Sequence, residues 1–301
     1  MEMILLGTGC PVVNLERYGP ATLVRHGESS VLVDCGSGVT QRLLEAGTPG
    51  REIDGLLLTH LHSDHIVDLF QLVISSWHQG RPRPQRVFGP PGTKRYVDGL
   101  MKLWRPELEQ RIAHEMRSST AALEVEVTEF GDGWTTAFGD LDVEAVEVDH
   151  KPVEHAYGFV FRAAGNSLVI SGDTRPCEAL ARAARGVDLL LHEVFIHGEM
   201  AEMVEGRTVE GIERVASYHT VSTEVGKLAD EAGVGCLVLT HFVPPHCDRE
   251  ALLDEVRQDF AGPLVVGEDL MRLDLATAVL RYRDLVLGLE GFAGDATRPD
   301  S

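Results

Sequence analysis

The chain is short of positive charge. Lys and Arg together number 27 against 47 Asp and Glu, which leaves a formal charge of −20 over 301 residues. A field of that sign repels a polyanion unless a local basic patch overrides it, so nucleic acid is expected to be a disfavoured partner. Cysteine is scarce too: Cys10, Cys35, Cys177, Cys236 and Cys247 are an odd number, and no two form C-x-x-C. That argues against a disulfide framework and for reduced thiols in a cytoplasmic setting. No apolar run approaches the length of a membrane span, so no membrane contact is expected. The opening Met1–Gly7 stretch lacks the basic region and apolar length of a signal peptide. The 44% hydrophobic content still suffices for one large domain or two small ones with a sizeable core.

Histidine and aspartate, in contrast, are concentrated. Thr59-His60-Leu61-His62-Ser63-Asp64-His65 follows the apolar run Leu56–Leu58 directly. Neutral imidazole and carboxylate are preferred ligands of a borderline cation such as zinc. A loop leaving a strand can turn His60 and His62 toward one ion, and Asp64 and His65 toward a second as the chain enters a helix.

Strand-like runs at Met3–Leu6, Ala21–Val24 and Ser30–Val33 precede this cluster, and a helix is predicted from Val39 to Ala46. Ile66, Phe70, Val73, Ile74 and Trp77 then recur on one face of an amphipathic helix. Gly92–Leu103 reads as another helix, whereas 105–120 is charged and weakly patterned. Beyond Leu123 the alternation changes to period two, and strand–helix units follow, including a helix over Ser222–Ala232. Strands that lead and helices that cover them predict an α/β fold, a four-layer αββα sandwich of two mixed β-sheets flanked by helices. Residues 1–275 read as the domain, and 276–301 as a partly flexible C-terminal extension.

Further metal-competent residues stand where apolar strands end. They are His150 after Val143–Val148, Asp173 after Leu168–Ile170, His192-Glu193 after Val187–Leu191, and His241 after Leu237–Leu239. One such residue alone is ordinarily a turn or capping group. Four such strand ends, together with the H-x-H-x-D-H cluster, point to one site at one edge of the sheets.

The segments GTGCP (7–11), LVDCGSG (32–38), LTHLHSDH (58–65), VFGPPGT (87–93), VDHKPVEHAYGF (148–159), ISGDTRP (170–176), LLLHEVF (189–195), HTVSTEVGKLADEAGV (219–234) and LTHF (239–242) resemble the metallo-β-lactamase superfamily in family order. The subgroup they resemble is that of ribonuclease Z and the related arylsulfatases. The resemblance implies two Zn²⁺ ions, with Mn²⁺ or Fe as alternatives. His60, His62 and His150 match the ligands of the first ion, and Asp64, His65 and His241 those of the second. Asp173 matches the bridging carboxylate. His155 competes with His150, which is favoured because the family's ligand precedes the apolar-Gly step at Gly158. His219 stands where ribonuclease Z has its proton-donating histidine, and Glu193 where a glutamate orients it. Asp64 can also fix the nucleophile by accepting its hydrogen bond.

Such a centre implies hydrolysis of an ester, most naturally a phosphodiester or sulfate ester. Ribonuclease Z members usually carry a flexible tRNA-gripping arm between the first-zinc histidine and the G-D-T strand. Here Gly158 and Asp173 are too close for one. With the acidic charge, this favours a small-molecule anionic ester as substrate. A tRNA 3′-processing endoribonuclease, a lactone or carboxylic ester hydrolase and a non-catalytic metal-binding protein remain as alternatives, and a homodimer is left open. The stretch Arg81-Pro82-Arg83-Pro84-Gln85-Arg86 reads as a solvated Pro-rich loop or as a greeting for a substrate anion.

Overall fold

The computed structural model describes residues 1–117, 119–196 and 208–289. The first sheet begins with β1 (Glu2–Gly7), β2 (Ala21–His26), β3 (Ser29–Val33), β4 (Gly55–Leu57), β5 (Gln85–Gly89) and β6 (Val125–Glu129). The second sheet is β7 (Thr135–Phe138), β8 (Leu141–Glu147), β9 (Tyr157–Ala163), β10 (Asn166–Ile170), β11 (Leu189–Phe195), β12 (Leu237–Val243) and β13 (Leu264–Val266). The chain then returns to the first sheet through β14 (Arg272–Asp274), β15 (Val279–Tyr282) and β16 (Leu285–Gly288). Both sheets are mixed. In the first, β1 pairs antiparallel with β2, and β3 parallel with β4. In the second, β9 pairs antiparallel with β10, and β10 parallel with β11.

Period-two alternation divides each buried strand between two apolar layers. Leu5, Val31, Val33 and Leu57 meet Phe159, Phe161, Leu189 and Leu191 between the sheets. Their neighbours Ile4, Leu6, Leu32 and Leu56 face outward to α1 (Val39–Glu45) and α3 (Leu69–His78), through Leu43, Leu69 and Val73. Leu190, Leu237 and Leu239 likewise face α5 (Glu178–Ala183), α7 (Ser222–Ala232) and α8 (Arg249–Arg257). Three apolar layers therefore separate four structural ones, which is the αββα sandwich.

Two segments differ from their expectation. The helix from Gly92 does not stop at Leu103: α4 runs Thr93–Glu115 through Pro106. Its second half is largely exposed and is braced by Arg111 between Glu107 and Glu115, which are ion pairs at helical spacing. Residues 276–289 add β15 and β16 to the edge of the first sheet. The remaining 290–301 lie outside the described residues, as does His197.

The basic stretch is a solvated loop only at Pro82 and Arg83, and its guanidinium groups meet the chain rather than a substrate anion. Arg81 is buried and donates to the carbonyls of Ile53 (2.7 Å), Pro84 (2.8 Å) and Arg51 (3.1 Å). Arg83 pairs with Asp54 at 2.7 Å, and Arg86 lies over the rings of Phe88 and Phe138. The guanidinium groups are spent on the chain itself.

Candidate metal centre

The ligand-competent residues are delivered by strand ends on both sheets. His60 leaves β4, and Asp64 and His65 sit on the short helix α2 (Ser63–Ile66), with His62 just before it. His150 follows β8 and Asp173 follows β10. His241 is placed by a bulge. Along β11 and β12, Glu193 pairs with Thr240 and Val194 with Phe242, so His241 is an extra residue, and its φ is 46°. A bulge of this kind re-aims a side chain out of the ladder.

These seven residues converge. His60, His62, His150 and Asp173 form one group of ligand atoms, and Asp64, His65 and His241 a second. Asp173 Oδ2 lies 3.4 Å from both His65 Nε2 and His241 Nε2, and 3.8 Å from both His60 Nε2 and His150 Nε2. It therefore stands between the groups. His150 is buried at the centre, whereas its competitor His155 is exposed.

The spacing fits ions. Ligand atoms held about 2.0–2.1 Å from a tetrahedral zinc are separated by about 3.3–3.4 Å along each edge. The separations here are 3.3 Å for His65 Nε2–His241 Nε2 and for His150 Nε2–His62 Nδ1, and 3.4 Å for His241 Nε2–Asp64 Oδ2. His60 Nε2 is buried with no hydrogen-bond partner, so a cation satisfies an atom that the protein leaves bare. Burial holds His60 well below the ordinary imidazole value, reinforced by His65 beside it, and burial lowers His62 and His150 as well, whereas at His65 burial is outweighed by the carboxylates of Asp173, Asp34 and Asp64, which raise the ring. Neutral imidazole is the form that binds metal. Burial would raise Asp64 and Asp173, but the surrounding histidines outweigh it: Asp64 falls to about 2 and Asp173 well below the carboxylate range. The cluster is a divalent-metal site.

A residue to which the sequence assigned no role orients it. Asp34, at the end of β3, accepts a hydrogen bond from His65 Nδ1 at 2.8 Å. It also accepts from Thr59 N at 2.8 Å and from Thr59 Oγ1 at 2.9 Å, and His60 Nδ1 lies 3.0 Å from that hydroxyl. One buried carboxylate thus fixes the tautomers of two histidines, one in each group, and leaves both Nε2 lone pairs facing the centre. His150 Nδ1 donates to the Tyr218 carbonyl at 2.9 Å in the same manner. We expect Asp34→Asn to weaken metal affinity by about 10–100-fold without unfolding the chain. Competition with a chromogenic chelator, alongside thermal melting, measures this.

His219 and Glu193 are also brought to the centre. His219 Nδ1 donates to Glu193 Oε1 at 2.9 Å, and the same oxygen accepts from Thr174 N and Thr220 N. Burial would lower His219, but the Glu193 carboxylate outweighs it and raises the imidazole above its ordinary value. With Nδ1 occupied, Nε2 is the free nitrogen, and His219 lines the cleft above Asp64 and His241. His219 also lies close enough to Asp173 and His241 to form a third ligand-competent group. His192 turns away, its Nδ1 donating to the Glu193 carbonyl at 2.7 Å.

The arrangement defines a class, metal-dependent hydrolases built on two packed sheets. The structure of a metallo-β-lactamase fold protein, YhfI from Bacillus subtilis, superposes with a TM-score of 0.70 at 19% identity, covering 90% of this chain and 97% of that one. Human tRNase Z, short form, superposes with a TM-score of 0.66 at 21% identity, covering 91% and 99%. In sequence, residues 1–206 match the family described as Anti-Pycsar protein Apyc1. Ribonuclease Z of Mycobacterium bovis (strain BCG / Pasteur 1173P2) is 36% identical over 280 residues, which cover 91% of this chain and 98% of that protein. The chain belongs to the metallo-β-lactamase superfamily, in its ribonuclease Z group.

This corrects the expectation that nucleic acid is a disfavoured partner, because relatives matched end to end are named for acting on RNA. Neither support of that expectation excludes RNA. The mycobacterial protein aligns over 98% of its length with this chain, so it too has no room for a long arm at this point. The net charge is a sum over the whole surface, and a divalent ion held by Asp64 and Asp173 would reverse the sign locally.

Proposed function

We propose that the chain is a metal-dependent endoribonuclease that processes the 3′ ends of precursor tRNA. The carrying observation is the 36% identity to a ribonuclease Z across nearly the whole of both chains. It favours RNA over the small phosphodiester, sulfate ester and lactone readings. A retained His219–Glu193 pair beside the ligands argues against a scaffold that has lost catalysis.

In this reading His60, His62 and His150 would hold one zinc, Asp64, His65 and His241 the other, and Asp173 both. When bound, the ions supply an activated water and polarise the phosphodiester. The protein supplies position and protons. Asp64 accepts a hydrogen bond from the attacking water and sets its direction. His219 gives the proton on Nε2 to the departing ribose oxygen, while Glu193 holds Nδ1 and stabilises the charged ring.

Precursor tRNA with a 3′ trailer, presented to zinc-loaded protein, should be cut to a defined end. Chelation should abolish cleavage and zinc should restore it. Turnover of bis-aryl phosphate or aryl sulfate, with precursor tRNA left intact across a salt titration, would contradict the proposal.

A further inference from the structure

The cleft over the metal centre encloses about 470 Å³ and has two unlike sides. His62, Asp64, Asp173, His219 and His241 form its floor. Pro11, Val12, Val215 and Val243 form an apolar wall, Ser63 and Tyr218 also line the cleft, and among the described residues neither Lys nor Arg does. Among the described residues no Lys or Arg meets a substrate there, so the part that lies along the wall meets an apolar face.

The wall is built on a loop that is fixed at both feet. Gly9 N donates to Tyr18 O at 2.8 Å and closes it. Arg17, 5% exposed, donates to Thr8 Oγ1 at 2.7 Å, to Gly267 O at 2.6 Å and to Glu268 Oε1 at 2.9 Å, and it lies 4.0 Å over the Phe242 ring. Asp269 accepts from Thr8 N at 2.9 Å and from Tyr18 N at 2.8 Å. Inside the loop, Asn14 Oδ1 accepts from Glu16 N and Arg17 N. Yet Val12 is 47% exposed, Val13 88% and Leu15 93%. Buried charges anchor a loop that bares three aliphatic side chains, one of which, Val12, lines the cleft. Such a patch marks a preorganised binding surface.

Resting on the ribonuclease reading, we propose that this wall is a nucleobase subsite. It takes the flat face of the base next to the scissile phosphate. Val12 is its specificity-determining contact, and Arg17 and Asp269 are the positioning residues that hold it. The volume suits a ligand of nucleotide size. The wall's aliphatic side chains offer no hydrogen bond to a base edge, so the contact with Val12 separates base from no base rather than one base from another. Every base has an apolar face to offer.

Calorimetry with zinc-loaded protein tests this, using AMP, UMP and ribose 5-phosphate as probes. Both nucleotides should bind about tenfold or more tightly than ribose 5-phosphate, and similarly to each other. Val12→Ser should bring that ratio down several-fold. Ribose 5-phosphate affinity, zinc content and melting temperature should be unchanged. Val215→Ser, on a separate helix, should act in the same direction. Equal affinity for nucleotide and sugar phosphate, an unchanged ratio in both variants, or no binding of any probe would overturn the subsite. Cleavage of precursor tRNA reports separately on the ribonuclease reading, so the two can fail independently.

Discussion

Asp173→Ala should lose at least about 10³-fold in kcat/KM, equivalent to about 4 kcal/mol of transition-state stabilisation, and should release bound metal. The reason is geometric. Asp173 Oδ2 faces four histidine nitrogens across both ligand groups at 3.4–3.8 Å, a position no other described residue occupies. Without it, four buried imidazoles face one another around a space whose negative charge is much reduced. Metal content by elemental analysis, beside steady-state rates on precursor tRNA, checks both halves. Asp173→Asn, which keeps the volume and removes the charge, separates lost ligation from lost packing. Near-normal metal content in either variant would remove Asp173 from the bridging position.

Much of this site was legible in the sequence because every proposed ligand ends or follows an apolar strand, and strand ends at one edge of two packed sheets must meet. The leading strands were legible as short apolar runs such as Met3–Leu6, whereas only the structure shows Leu5 facing one layer and Ile4 and Leu6 another. Asp34 was not, although it too ends a strand. Its role lies in which ring nitrogen of His65 carries the proton, and only contact geometry shows that. Arg81 misread for a related reason: its carbonyl partners Arg51 and Ile53 are remote in sequence. The helices α6 (Val209–Ala216) and α8 were not anticipated; α6 buries only Ile212 fully and α8 only Leu252 and Val256. The partner was misjudged because net charge sums a surface, whereas recognition happens at a site.

His219→Ala should keep the fold and both ligand groups but lower kcat by about 10²–10⁴. The loss should be larger for an alkoxide leaving group, which needs the proton on Nε2, than for nitrophenolate, which departs without one. Glu193→Gln should give a smaller loss. It should also shift the basic limb of the pH–rate profile to lower pH. Burial alone lowers His219, and the Glu193 carboxylate is what raises it, so without that charge the ring gives up its proton sooner as pH rises. Rates of esters graded by leaving-group pKa, measured across pH, report on both variants. Equal losses across leaving groups would make His219 a binding residue. Loss of zinc from His219→Ala would make it a ligand, as its closeness to Asp173 and His241 permits.

The most direct test of the account is the metal stoichiometry of the wild-type protein, purified without chelator, dialysed against zinc and freed of loose ions. The two ligand groups, bridged by Asp173, predict close to two zinc ions per chain, with cleavage of precursor tRNA lost on chelation and restored by zinc. A protein that holds no metal after this treatment, or one whose cleavage is indifferent to chelation, would contradict it.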